Sequence, residues 1–441
     1  MYKEKFMDLF TKVPKGVWLL ALGLSVQFSP VLTYKIKGGS VVCLIYAIGA
    51  LFCVSKYCRE GFFSAVIKAI NDNGWKCTLL LIFYIVAVAA WFYAPYDIGY
   101  KDIQHIWKKM LLNIVAIFIG LFLSRYPQFI KTIVICCIPC ALYHVSLMNN
   151  IKAIEGLDAR HYLGDGGGGG ILGTFQQWEP IAMLSVMLLS VMMTFKNIVV
   201  KILLGVLVFY FTLTILRAGY ATPFALLLIG FAIMGVGYMR YGSSRKKGII
   251  MRIIFGAIML FVVGIIFFSV VKSAETGETE SVSVATRFHA FFNDPRGGGY
   301  DVENSRFREM ATAWNSFCKW PIFGGGGEYP SPRYDVSSGH YSLIDFFAHY
   351  GIIGGGAYLT FVLLSMGYLF RRYKRTREWM DCSKMAVSVM FFVGGVVNPG
   401  WVDLPVSAFF IFCSPFSNQY LLRSNGIFPN ERYGEYRGYE Y

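Results

Sequence analysis

The chain has 441 residues, of which 56% are hydrophobic and 15% charged, and its formal net charge is +15. A soluble chain of this length would be expected to form two or three domains, but here the charges sit in clusters between long apolar runs, which excludes an ordinary soluble architecture. The runs are also far longer than the roughly 10-residue alternating strands of an outer-membrane barrel.

An apolar run of about 20 residues crosses the hydrocarbon core as a helix, and a helix satisfies its own backbone polar groups there. In chain order, the sequence predicts spans over 17–35, 38–55, 77–95, 109–124, 129–148, 180–195, 198–216, 220–239, 250–271, 351–370, 385–399 and 404–421. The run 180–195 is short, and 385–399 ends in Asn398-Pro399-Gly400. No small-residue cleavage site follows the first run, so it is expected to stay as a span. The expected fold class is an all-α integral membrane protein of about twelve helices. It divides into an N-terminal bundle over 1–271 with an outer loop at 149–179, a large loop over 272–350 between helices 9 and 10, and C-terminal helices with a tail over 351–441.

The basic residues follow the alternation of these spans. Lys3, Lys5, Lys12 and Lys15 begin one set of loops. Lys56, Arg59, Lys68 and Lys76 continue it, then Arg125 and Lys131, Lys196 and Lys201, Arg240 to Lys247, and Arg371 to Arg377. Lys and Arg collect on the cytoplasmic side, so this set and both termini are expected there. Most of the positive charge is thus topological, and a nucleic-acid partner is not expected. Most of the ten cysteines fall inside spans, where the Cys137-x-x-Cys140 spacing reads as small packing residues.

Two long segments face outward, 149–179 and 272–350, and loops of this kind carry function. Apolar residues near helical spacing over 303–320 predict a helix lying on the membrane face. Glycine runs at 166–170, 297–299, 324–327 and 354–356 suit either flexible loops or close backbone approach. No Gly-Lys-Ser/Thr follows any of them, which excludes a phosphate-binding P-loop. Aromatic residues of the outward segments, Trp178, Tyr300, Tyr329, Tyr334 and Tyr341, suit either sugar stacking or interfacial anchoring.

The outward segments break the expected depletion of cations. They hold Arg160 and His161, Arg217 at the end of a span, then Arg287, His289, Arg296, Arg306, Arg308, Arg333 and His340. Arginine predominates, and its planar fork grips phosphate or carboxylate through two parallel hydrogen bonds. Arg217 follows the apolar run 209–216, where a cation faces a cavity or snorkels to the interface. His340 precedes a short apolar stretch at the surface, where an imidazole can take a proton from a sugar hydroxyl.

His340-Tyr341, nine residues, then Gly351-x-x-Gly354 resembles the signature of the O-antigen ligase and O-antigen polymerase superfamily. Tyr341 stands where that signature has Asn, Ser or Gln, and Gly355 stands where ligases often carry Thr or Val. Gly173-Thr174-Phe175 with Pro180 resembles the segment opening the span after the first outer loop. Leu216-Arg217-Ala218-Gly219-Tyr220 resembles a Ser-Arg-Ala/Gly motif. Ser305-Arg306, Trp314 and Pro321-Ile322-Phe323-Gly324-Gly325-Gly326 resemble an arginine-led helix ending in Pro-hydrophobic-Leu-Gly-x-Gly. The likeness covers roughly 160–360, with the motifs in family order.

The resemblance implies about twelve spans with a large periplasmic loop between spans nine and ten, in a bacterial inner membrane. It implies transfer of an undecaprenyl-diphosphate-linked glycan to a glycan acceptor (polymerase) or to lipid A-core (ligase), with no cofactor, metal or nucleotide. Membrane lipids and a chain-length regulator are further expected partners. On this reading His340 is the general base, and Arg217 and Arg306 bind the diphosphate. Arg287, Arg308, Arg160, Tyr341 and Asp403 contact substrate or orient His340. A transporter of the same lipid-linked sugar is the alternative of another class.

Overall fold

The computed structural model describes residues 17–18, 21, 25, 48–49, 61–93, 100–155, 175–195, 197–217, 221–241, 306–325, 342–397 and 404–417. Among them every regular element is helical. The expected spans 17–35 and 38–55, isolated positions apart, and 250–271 lie outside the described residues, as does most of the loop 272–350.

The elements are α1 (Phe62–Asp72), α2 (Gly74–Tyr93), α3 (Tyr100–Arg125), α4 (Gln128–Glu155), α5 (Phe175–Thr194), α6 (Ile198–Arg217) and α7 (Ala221–Tyr241). They continue with α8 (Arg306–Lys319), α9 (Ser342–Tyr350), a π-turn at Gly351–Gly355, α10 (Gly356–Thr376) and α11 (Trp379–Val397). The last described elements are α12 (Leu404–Ala408) and a second π-turn at Phe409–Cys413. By length and composition, Gln128–Ser146, Ile198–Leu216, Leu343–Thr376 and Trp379–Val397 can each cross a membrane. The bent pair Phe62–Asp72 and Gly74–Ala89 adds a fifth candidate.

Most of these helices coincide with the apolar runs to within a few residues, and α8 falls inside the helix expected at 303–320. Helix ends differ where hydropathy is silent. The segment 96–108, expected as a short outward turn, is helical from Tyr100. Helix α4 continues to Glu155 and α5 starts at Phe175, so both helices reach into the outer loop expected at 149–179. Hydropathy marks only the part of a helix that lies in hydrocarbon, whereas the hydrogen-bond ladder runs on into polar sequence. Helix α1 replaces part of an expected basic loop. Its axis bends 97° from α2 at Asn73, so if α2 crosses the membrane α1 lies along its surface.

Two helices define inside and outside. In α5, Trp178, Ile181, Ala182, Met183, Leu184, Val186, Met187, Leu188 and Val191 are all fully buried. It packs against α4, α6, α7, α11 and α12 and is the hub of the bundle. A helix apolar all round and buried on every side is a core element. Helix α6 is also apolar throughout, yet Ile198, Val199, Ile202, Leu203, Val206 and Phe209 are exposed, which leaves a stripe for lipid. Side-chain bonds gather the basic turns at one end of the bundle. Arg125 pairs with Asp72 at 3.1 Å, the Asn73 Oδ1 accepts from the Ser417 N–H at 2.7 Å, and the Lys76 ammonium donates to the Pro415 carbonyl.

The opposite end is closed by a backbone clasp. The turn 321–325 after α8 docks against the turn after α9. Gly325 N–H donates to Ala348 O at 2.8 Å, Ile352 N–H to Pro321 O at 2.8 Å, and Ile353 N–H to Ile322 O at 3.1 Å. Gly324 (φ 79°) and Gly351 (φ 63°) make the bends. A Cβ on Gly351 would overlap the Ile322 carbonyl, and one on Gly324 the His349 carbonyl. Gly351→Ala therefore combines left-handed strain of about 1–2 kcal/mol with a backbone clash. Gly356, with open space around it, tolerates the same change. Thermal melting of the two variants in detergent checks this: Gly351→Ala melts well below wild type and Gly356→Ala within a degree or so of it. Equal melting temperatures would show that the clasp is not structural.

Candidate functional site

At the end of the bundle opposite the basic turns α5 starts and α6 and α11 end, and α9 of the clasp packs against α11. Arg217 is the last residue of α6. Arg306 and Arg308 occupy the first turn of α8. The unsatisfied N–H groups of a helix start favour an anion. Arg160, Arg287, His340, Tyr341 and Asp403 lie outside the described residues. Along the chain, His340 comes two residues before the start of α9, and Asp403 directly precedes α12.

Helix α9 is held rigidly. Phe346 stacks on Phe83 of α2 at 5.6 Å, and Tyr350 meets the same ring edge-on at 5.1 Å. Tyr358 of α10 closes the group at 4.7 Å from Phe83. Asp345, one turn into α9, is buried. Helix α9 is therefore anchored by the aromatic group around Phe83 and by the glycine clasp.

Of three polar side chains inside the bundle, Glu179, His144 and Trp178, the sequence singles out only Trp178. Glu179 is fully buried in the second turn of α5. Its carboxylate points at α11, where a Cβ on Gly394 would come 3.4 Å from Oε2 and 3.1 Å from Leu226 Cδ1. The absence of a side chain at Gly394 is what gives the carboxylate its space. His144 of α4 is fully buried and lies 5.0 Å from the Trp178 ring, with neither ring nitrogen hydrogen-bonded among the described residues. The Trp178 indole N–H likewise finds no acceptor there. Trp178 is thus a core residue against His144 and not the loop aromatic expected from its position.

A glutamate in a membrane interior is costly and marks a functional site by default. Residue type gave the signal, but the hydropathy boundary at 180 placed Glu179 in a loop. Among the described residues no group of three His, Cys, Asp or Glu side chains is close enough to hold a metal ion. No protein-family model matches the chain, and no curated protein matches it.

If Glu179 serves a function and not the fold, removing its charge does not weaken the bundle. Replacing a buried charged group by an apolar one of similar size is often neutral or stabilising. Glu179→Leu is expected to melt in detergent at or above the wild-type temperature. Gly394→Leu, which overpacks the same gap, is expected to lose about 1–3 kcal/mol. A Glu179→Leu protein that fails to fold would make the carboxylate a structural group.

Proposed function

We propose that the protein is a glycosyltransferase of bacterial surface-polysaccharide assembly. It has about twelve spans in the inner membrane, both termini in the cytoplasm and the 272–350 loop in the periplasm. It takes an undecaprenyl-diphosphate-linked glycan and transfers it to a glycan acceptor. Arg217 and Arg306 bind the donor diphosphate and stabilise the charge that develops as it leaves, the kind of electrostatic term that often dominates catalysis. His340 removes the proton from the acceptor hydroxyl, whose oxygen attacks the anomeric carbon as the diphosphate departs with its lipid. Configuration at that carbon inverts. Arg287, Arg308 and Arg160 add to the anion site, and Asp403 orients His340.

The observation that carries the reading is the clasp. The two motifs nearest the resembled signature, the arginine-led helix ending in Pro321–Gly325 and the Gly351-x-x-Gly354 turn, are distant in sequence. They are joined by three backbone hydrogen bonds. A chemistry that uses Arg306 and His340 together requires such a joint. The buried Glu179 is a feature that favours a transporter. It lies four residues from the start of α5, about 6 Å along the helix, whereas transport sites sit near the midplane. That depth fits a group reached from the outer face.

The test is His340→Ala and Arg217→Ala, made separately in the native host, with membrane expression confirmed and the surface polysaccharide read on a gel. Loss of one such group lowers the rate about a hundred- to a thousandfold. A ladder collapsed to single repeat units on lipid A identifies a polymerase. Loss of lipid A-linked polymer, with long chains still on the carrier lipid, identifies a ligase. An unchanged ladder from both variants overturns the catalytic reading in favour of transport.

A further inference from the structure

The basic end of the bundle holds a second charged arrangement, independent of the chemistry proposed at the other end. Asp72 and Asp381 there are engaged, while Glu378 is in no ion pair among the described residues. Asp72 pairs with Arg125 at 3.1 Å. Asp381 accepts from Thr376 at 2.8 Å and pairs with Arg372 at 2.8 Å, while the buried Lys384 ammonium lies 4.0 Å from the same carboxylate. Lys76, whose ammonium donates to the Pro415 carbonyl, and Arg371 are in no ion pair among the described residues. Lys76 lies over the Tyr368 ring, 4.6 Å from its centroid, and Arg371 follows Tyr368 by about one turn of α10. Arg372 reaches the Tyr368 hydroxyl from the other side at 3.5 Å. Among the described residues no carboxylate lies within ion-pair distance of either Lys76 or Arg371.

Two cations beside a tyrosine, neither of them in an ion pair, raise a positive potential that an anion relieves. The surroundings say which anion. Helix α1, bent 97° from α2, presents Phe63 and Ile67 on one face, and Trp75 follows at the bend. All three are exposed. Apolar side chains four apart on a surface-lying helix dip into the boundary between headgroups and acyl chains. Cations beside such a helix sit at the depth of the phosphates, where anionic lipid draws Lys and Arg. Soluble phosphate has no use for exposed Phe63, Ile67 and Trp75.

We infer that Lys76 and Arg371, around Tyr368 and beside the exposed face of α1, form a binding site for the headgroup of an anionic phospholipid in the leaflet at the basic end. Its acyl chains run against Phe63, Ile67 and Trp75. The phosphodiester bridges the two cations, which fixes the junction of α1, α2 and α10.

The full chain is reconstituted in nanodiscs of phosphatidylcholine alone and of phosphatidylcholine with phosphatidylglycerol. Melting is followed by tryptophan fluorescence, and retained lipid by native mass spectrometry. The wild type is expected to melt several degrees higher with phosphatidylglycerol and to retain it selectively. Lys76→Gln with Arg371→Gln loses both the shift and the retention. The charge-matched control Lys201→Gln with Arg377→Gln keeps both, which separates a site from diffuse attraction. If the double variant fails to fold, Lys76→Arg and Phe63→Ser replace it: the first keeps selective retention and the second weakens it. Equal melting of the wild type in both discs overturns the inference. So does equal loss in variant and control, or a full shift produced by inorganic phosphate in phosphatidylcholine alone.

Discussion

In hydrocarbon no water is present to bond an open peptide group, so every backbone N–H and C=O must be satisfied by the protein itself. Long helices meet that condition at once, and a break in one is tolerated only where other parts of the chain cover it. The described breaks in this protein are covered. The clasp at Gly324 and Gly351 replaces lost helical bonds with three between turns. At the other break, beyond Phe409–Cys413, the Ser414 N–H returns to Phe410 O at 3.1 Å. The Ser414 hydroxyl donates to Gly120 O at 2.8 Å, and the Cys413 thiol to Lys384 O at 3.2 Å. These two joints lie at the two ends of the bundle.

The same constraint explains why the helices differ so little in composition and so much in position. Hydrophobic burial does not distinguish α5 from α6, since lipid is as apolar as a neighbouring leucine. Association rests on close packing and on small residues that let helices approach. A Cβ on Gly230 of α7 would lie 2.5 Å from Val186 of α5 and 2.7 Å from Met390 of α11. That single missing side chain brings three helices together. α6 makes no comparable three-way joint, and its exposed stripe faces outward. The hub helix then carries Glu179 at the end where the clasp closes, so the most constrained element holds the most costly side chain.

The sequence revealed much of this because apolar runs report membrane residence directly. The spans over 77–95, 198–216, 220–239 and 385–399 each correspond to a helix. Three things were hidden. The orientation of a uniformly apolar helix was one: nothing in the hydropathy of α5 or α6 says which of them is central. The second was α1, whose short length and mixed polarity lie below the threshold of a span and read as loop. The third was the buried polar set, because a hydropathy boundary at Pro180 puts Trp178 and Glu179 in the loop. Pro180 falls inside α5 and not before it. It sits in the early turns, where few upstream carbonyls are disturbed by a missing N–H.

The two ends of the bundle solve opposite electrostatic problems with similar parts. At the basic end, Arg125, Arg372 and Lys384 are matched to Asp72 and Asp381 in compact pairs, and the unmatched cations sit where a charged leaflet can answer them. At the other end, Arg306 and Arg308 open a helix with no lysine beside them until Lys319. The nearest buried carboxylates in sequence order, Glu179 and Asp345, belong to α5 and α9. A guanidinium held at a helix start attracts a diphosphate more strongly than a freely rotating ammonium does, because its fork presents two donors in one plane. Rigidity of the supporting element then decides how much of that attraction is available to a transition state. Here it comes from backbone bonds at Gly325, Ile352 and Ile353 and from the aromatic group around Phe83. An arginine-led helix fastened by backbone to the segment that follows His340 is the support that the proposed displacement between two glycans requires.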